Sequence, residues 1–180
     1  IQNLEKLSNL HLYNNRITSI DSLGNLPQLN TLLLSGNQIE EIRELGEFDS
    51  LRQLALANNR IYSLDGLQNL FNLLRLNLSE NQICDLRPLR NLNSLRSIDL
   101  HSNLLLDLSD LSTLNNLQSA GLSRNIIVDP SPVYKLPRIK QVSLGYNFLP
   151  LQLEKYKEAE ALLLAKKARL QTSNQMTFLP

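Results

Sequence analysis

LNLSENQICDLRPL, residues 76–89, alternates apolar and polar residues and then stops alternating at an asparagine. Leu76 and Leu78 lie two apart, the spacing of one face of a short strand. Asn81 follows three residues after Leu78, and Ile83 two after that. A step of 22 residues in either direction finds the same pattern. The asparagine recurs as Asn15, Asn37, Asn59, Asn81, Asn103, Asn125 and Asn147, with no insertion. Three residues before each asparagine stands a leucine, from Leu12 to Leu144. Five before, the column reads Leu10, Leu32, Leu54, Leu76, Ile98, Ala120 and Val142. The unit is LxxLxLxxNxI, followed by two or three further apolar positions.

One short strand cannot bury its apolar face alone. Stacked copies form a parallel sheet, and the apolar columns become a continuous core. A buried amide must then find partners. Asparagine offers two donors and an acceptor. Placed where the chain turns inward, it can satisfy loop backbone in its own and adjacent units. The seven asparagines therefore read as a structural ladder.

Through units such as LHLYNNRI, LLLSGNQI, LALANNRI and LNLSENQI, residues 1–149 resemble the leucine-rich repeat family. The 22-residue unit is similar to that of protein phosphatase 1 regulatory subunits and of bacterial internalins. The resemblance implies an α/β class fold, a curved right-handed solenoid. Short parallel strands would line its concave face, with 3₁₀ turns and loops on the convex face. It further implies a protein-binding role without cofactor. DLRPL, and less so DPSPV, resembles the aspartate and proline of internalin repeats, whereas the phosphatase-regulator cap motif is not evident.

Composition limits the alternatives. The chain has 180 residues, 18 basic and 17 acidic side chains, and a net charge of +1. That balance gives no reason to expect nucleic acid or a membrane surface as partner. No stretch is apolar enough to span a bilayer. IQNLEKLSNL has neither the basic start nor the apolar run of a signal peptide. The single cysteine cannot form an internal disulfide. A cytoplasmic or nuclear setting is the default expectation; a secreted or surface protein of a bacterium is the alternative.

Three segments are expected: the solenoid over 1–150, a capping helix over 151–171 and a tail over 172–180. LEKYKEAEALLLAKKARL is rich in strong helix formers, with Leu153, Tyr156, Ala159, Leu163 and Leu170 along one side. That helix caps the last unit or serves a partner. At the other end no polar cap precedes Ile1, Leu4 and Leu7, so an additional N-terminal segment or chain is expected to cover them.

Function should sit on the outward strand positions, which alternate with the core leucines. The candidate protein-binding residues are Tyr13, Leu33, Arg75, Asn77, Glu80, Asp99, His101, Arg124 and Tyr146. Aromatic and arginine side chains are the expected hot spots. Asp99, His101 and Ser123 fall on adjacent rungs and mimic a catalytic triad. Serine recurs in that column as Ser35 and Ser79, and nothing suggests an oxyanion hole, so no catalytic residue is assigned. His11 and His101 lie four rungs apart, roughly 19 Å at strand spacing, and cannot share a metal ion. Cys84 shares its column with Thr18, Glu40, Tyr62, Leu106 and Val128, so its thiol is incidental. The chain is expected to be a non-enzymatic interaction module. The alternative is a recognition segment of a larger enzyme or bacterial effector.

Overall fold

The computed structural model describes residues 4–43, 45, 48–149, 157, 161–162, 165 and 169–171. Eight strands form one parallel sheet in chain order. They are β1 (Asn9–His11), β2 (Thr31–Leu33), β3 (Gln53–Ala55), β4 (Arg75–Asn77), β5 (Ser97–Asp99), β6 (Ser119–Gly121), β7 (Gln141–Ser143) and β8 (Arg169–Gln171). From β1 to β7 each strand residue pairs with the one 22 positions later, as in Leu32↔Leu54 and Leu76↔Ile98. The sequence period and the sheet register are the same quantity. Each strand is short because only its middle residue and the leucine two further on face inward.

The core follows the columns. Leu32, Leu54, Leu76, Ile98, Ala120 and Val142 are buried, as are Leu34, Leu56, Leu78, Leu100, Leu122 and Leu144. The arcs opposite the sheet close with 3₁₀ turns at Asp21–Leu23, Arg87–Leu89 and Ser109–Thr113, and with one short helix, α1 (Ser131–Tyr134). Pro88 and Pro132 sit in the first turn of their elements. A missing N–H does no harm there.

The ladder is as expected in kind, but it is directional. Asn37, Asn59, Asn81, Asn103, Asn125 and Asn147 each accept the backbone N–H of the Ile or Leu two places past the preceding asparagine, at 2.9–3.1 Å. Each also donates to two carbonyls, its own unit's column leucine and the preceding unit's. Asn15 differs. It is exposed and, among the described residues, its side chain bonds only Leu12 O and Tyr13 O in its own unit.

A second polar column holds the convex arcs. Four residues past the ladder, Ser19, Ser63, Asp85, Asp107 and Asp129 accept the backbone N–H two residues on. This local bond fixes the start of each arc, as short oxygen-bearing side chains do at turns and caps. Glu41 holds the same place but is one methylene longer. It binds Arg43 and Tyr62 instead, and those two partners hold its carboxyl down at about 2.

The ends depart from expectation in part. Arg169–Gln171 is a strand, so the capping helix cannot extend over 151–171 as one element. The physical reason is the open edge of β7. Unpaired N–H and C=O groups there gain partners when β8 lies beside them, and Arg169 N–H donates to Lys140 O at 2.7 Å. Lys157, Ala161, Leu162 and Ala165 are helical and exposed. The expected apolar face at Leu153, Tyr156, Ala159 and Leu163, and the tail over 172–180, lie outside the described residues, as does Ile1. At the N-terminal end Leu4 is 46% exposed and Leu7 half-buried.

Candidate functional site

The strand face is bordered by the column just before each ladder asparagine, three residues past each strand. Asn14, Gly36, Asn58, Glu80, Ser102, Arg124 and Tyr146 all have φ between 52° and 72°. This left-handed step turns the following asparagine inward and its own side chain outward. The backbone still bonds there: Glu80 N–H reaches His101 O and Arg124 N–H reaches Gly145 O. Glycine and asparagine take this conformation cheaply; other L-residues lose about 1–2 kcal/mol. The first three units obey that economy. Units four to seven place Glu80, Ser102, Arg124 and Tyr146 there instead.

Those side chains organise the C-terminal half of the strip. The Arg124 guanidinium carbon stands 5.1 Å from the centroid of the Tyr146 ring, within cation–π range. His101 Nδ1 lies 2.9 Å from Asp99 Oδ1, which also accepts the His101 backbone N–H at 3.2 Å. With Nδ1 protonated, the ring donates to Asp99. Its other nitrogen, Nε2, faces Glu80 Oε1 at 3.6 Å. On the next rung Asn77 Oδ1 accepts from Ser79 N–H at 3.0 Å and Ser79 Oγ–H at 2.8 Å. Ser79 is thereby buried, whereas Ser35, Ala57, His101 and Ser123 in the same column are half-buried and Tyr13 is exposed.

Gly121 explains the room for Asp99. A Cβ at position 121 would sit 2.5 Å from Asp99 Oδ1 and 3.1 Å from its Cγ. The glycine is a hole in the sheet face that the carboxylate occupies.

The structure thus brings Asn77, Glu80, Asp99 and His101 into one polar cluster, with Arg124 one rung and Tyr146 two rungs past His101. It separates Tyr13, which pairs loosely with His11 at the other end, ring centroids 6.4 Å apart. Leu33 is half-buried between Thr31 and Ser35. Arg75 is exposed at the strand's first position. Among the described residues no hydrogen bond joins Ser123 Oγ to His101, whose Nε2 is turned to Glu80. Cys84 is exposed. Among the described residues no group of three or more His, Cys, Asp or Glu could hold a metal ion. None of their helices is long and apolar enough to cross a membrane.

Two features escaped the sequence reading. One is the left-handed column, whose signal was present in Asn14, Gly36 and Asn58. The other is an apolar shoulder beside the strip, where Leu104, Leu106, Ile126 and Val128 are each 39–53% exposed.

Comparison with known proteins agrees with this geometry. The sequence profile of the family Leucine Rich repeats (2 copies) matches residues 5–47. This chain is a leucine-rich repeat protein. Its fold is similar to that of an internalin (inlF) of Listeria monocytogenes, with a TM-score of 0.81 and 28% identity over 96% of this chain and 56% of that one. Internalin C2 of the same organism gives 0.81 and 29%, over 97% and 72%. A leucine-rich repeat protein of Leptospira interrogans gives 0.81 and 30%, over 97% and 45%. The chain therefore spans little more than half of the first internalin and less than half of the Leptospira protein. No curated protein matches the sequence. Leucine-rich repeat domains are in general protein–protein interaction modules, and such proteins are usually non-catalytic.

Proposed function

We propose that this leucine-rich repeat chain binds a protein or peptide partner on its concave strand strip without catalysing a reaction. The contact centres on Arg124, Tyr146, Glu80, Asp99 and His101, with Arg75, Asn77, Leu33 and Tyr13 around them. The observation that carries the reading is the left-handed column. Glu80, Arg124 and Tyr146 occupy backbone that disfavours them, where asparagine or glycine would cost less. Strain kept at surface positions, with side chains aimed at solvent, supports a functional use. Aromatic and arginine anchors are the residues that carry interface energy, and the Arg124–Tyr146 pair is already stacked before any partner arrives.

The test is paired affinity capture with wild type and with R124A/Y146A, both checked for an unchanged unfolding midpoint. A protein retained by wild type and lost by the variant supports the strip. Equal recovery with both chains sinks it.

The second reading is a recognition segment of a larger bacterial protein, secreted or surface-exposed rather than cytoplasmic. The likeness to three longer bacterial chains supports it, two of them internalins. It also favours the internalin-like subclass over the phosphatase-regulator one. The complete reading frame tests it: a longer frame with a secretion signal supports this reading, and its absence removes it.

A further inference from the structure

The net charge of +1 conceals a segregation by column. Past the ladder asparagines the arcs carry Asp65, Asp85, Asp107, Asp110 and Asp129, and there Arg43, Arg60, Arg87 and Arg90 each pair with a carboxylate. The opposite rim, where chain enters the strands, is reversed. The rim segments 71–75, 93–97, 115–119 and 137–141 contain Arg75, Arg96, Arg138 and Lys140 and no acid. Arg52 extends the row on the β3 side, with Asp49 three residues before it, and Arg169 extends it on β8. All six cations are exposed, and none is in an ion pair among the described residues.

We propose that this rim is a second docking surface, for an acidic polypeptide segment lying across the strands. It meets the concave strip at Arg75 and is otherwise separate from it. Arg52, Arg96 and Lys140 recur every second rung, about 10 Å apart, which three residues of extended chain span. From β3 to β8 the row runs roughly 24 Å, the reach of seven or eight extended residues. Arg52 Nη1 donates to Asn72 O at 3.0 Å and Arg138 Nη1 to Asn116 Oδ1 at 2.5 Å, so both side chains lie along the rim. Gln118, Gln141, Asn93 and Asn115 stand between the cations and can bond a peptide backbone. Nucleic acid fits less well. The cations form one sparse row, and Phe71 is the only aromatic among the described rim residues, whereas single-strand binders stack successive bases on several aromatics.

The test is fluorescence anisotropy with a labelled ten-residue Glu/Asp-rich peptide at low and at physiological salt. The proposal expects saturable, salt-sensitive binding, weakened about tenfold or more in R96E/K140E, because juxtaposed like charges are costly. R124A/Y146A should bind the peptide as wild type does, which separates this surface from the concave strip. The proposal is overturned if the peptide does not bind, if R96E/K140E binds it unchanged, or if only the concave variant loses it. Tighter binding of a single-stranded oligonucleotide of equal charge, lost in the same rim variant, overturns it in favour of nucleic acid. Both substitutions replace exposed side chains, and circular dichroism confirms that each variant is folded.

Discussion

Asn125→Ala should be among the most damaging single changes in this chain, and its cost can be worked from bonds. Asn125 Oδ1 accepts Leu105 N–H at 3.0 Å; its amide donates to Leu100 O at 3.0 Å, Leu122 O at 3.1 Å and Ser123 O at 3.3 Å. The carbonyls are not orphaned by its removal. Leu100 O still accepts from Asn103 and Leu122 O from Asn147, while Ser123 O keeps Ser102 N–H. Leu105 N–H has no such reserve. Leaving that buried donor unmade costs about 1–3 kcal/mol, and each weakened carbonyl adds roughly 0.5–1. The total is about 2.5–6 kcal/mol. Asn15→Ala removes two bonds at an exposed position and no interunit acceptor, so it should cost about 1 kcal/mol or less. Urea unfolding followed by circular dichroism measures both, with an unchanged slope required for the comparison. Asn125→Asp sharpens the test. It keeps an acceptor for Leu105 N–H but turns a carboxylate oxygen toward two carbonyls in a buried place. Its folded pKa is thereby raised above the unfolded value of about 3.9. The destabilisation should be largest at neutral pH and shrink as pH falls through the raised folded pKa, because the protonated acid can donate. Equal losses for the alanine variants at positions 15 and 125, or a pH-independent Asn125→Asp, would refute the directional ladder.

Ser102→Gly should stabilise by about 0.5–1 kcal/mol, since relief of a left-handed L-residue exceeds glycine's entropic penalty; a lower urea midpoint would contradict it. Gly121→Ala should leave stability within about 1 kcal/mol, because the clash is with the free end of Asp99, yet shift the His101 ring resonances and weaken partner binding. Asp107→Ala should cost about 1 kcal/mol through loss of the Ser109 N–H bond. That bond and the Ser109 hydroxyl hold the Asp107 carboxyl below its usual range, and the Arg87 guanidinium does the same for Asp85. Both groups stabilise the fold above the unfolded carboxylate pKa and lose that contribution as pH falls through their lowered folded values. Acid unfolding should therefore steepen below about pH 4, and less so in D85N/D107N. Cys84→Ser should change the midpoint by less than about 0.5 kcal/mol, while Cys84 reacts with a thiol reagent in the folded protein.

The period was fully legible because it is the register: 22 residues of sequence are one step of the sheet. The asparagines were legible for the same reason, since an amide repeated seven times at one place in the period can hardly be anything but scaffold. What sequence could not supply was direction. Nothing in the letters distinguishes Asn15 from Asn125, yet one is exposed and the other bridges two units. β8 was missed because Arg169–Gln171 follows a run of helix formers, and local propensity says nothing about an unpaired edge elsewhere.

The candidate site was legible by position but not by conformation. Glu80, Arg124 and Tyr146 were found as outward residues, without any sign that their backbone is left-handed. That conformation changes how they should be weighed. An exposed arginine on an ordinary strand is unconstrained by the fold and carries little information. An arginine where the repeat accommodates asparagine or glycine more cheaply lowers stability by about 1–2 kcal/mol. The loss falls on all of the last four units, Ser102 included, and on none of the first three. Uniform drift would have spread it along the solenoid, and a purely structural demand would have favoured glycine throughout. The clustering instead follows the side chains that meet there: Glu80 with His101, and Arg124 with Tyr146. Replacing Glu80, Arg124 and Tyr146 together with asparagine separates the two explanations. The variant should gain stability and lose its partner, and a variant that gained stability while keeping full affinity would show that the strained positions serve no contact.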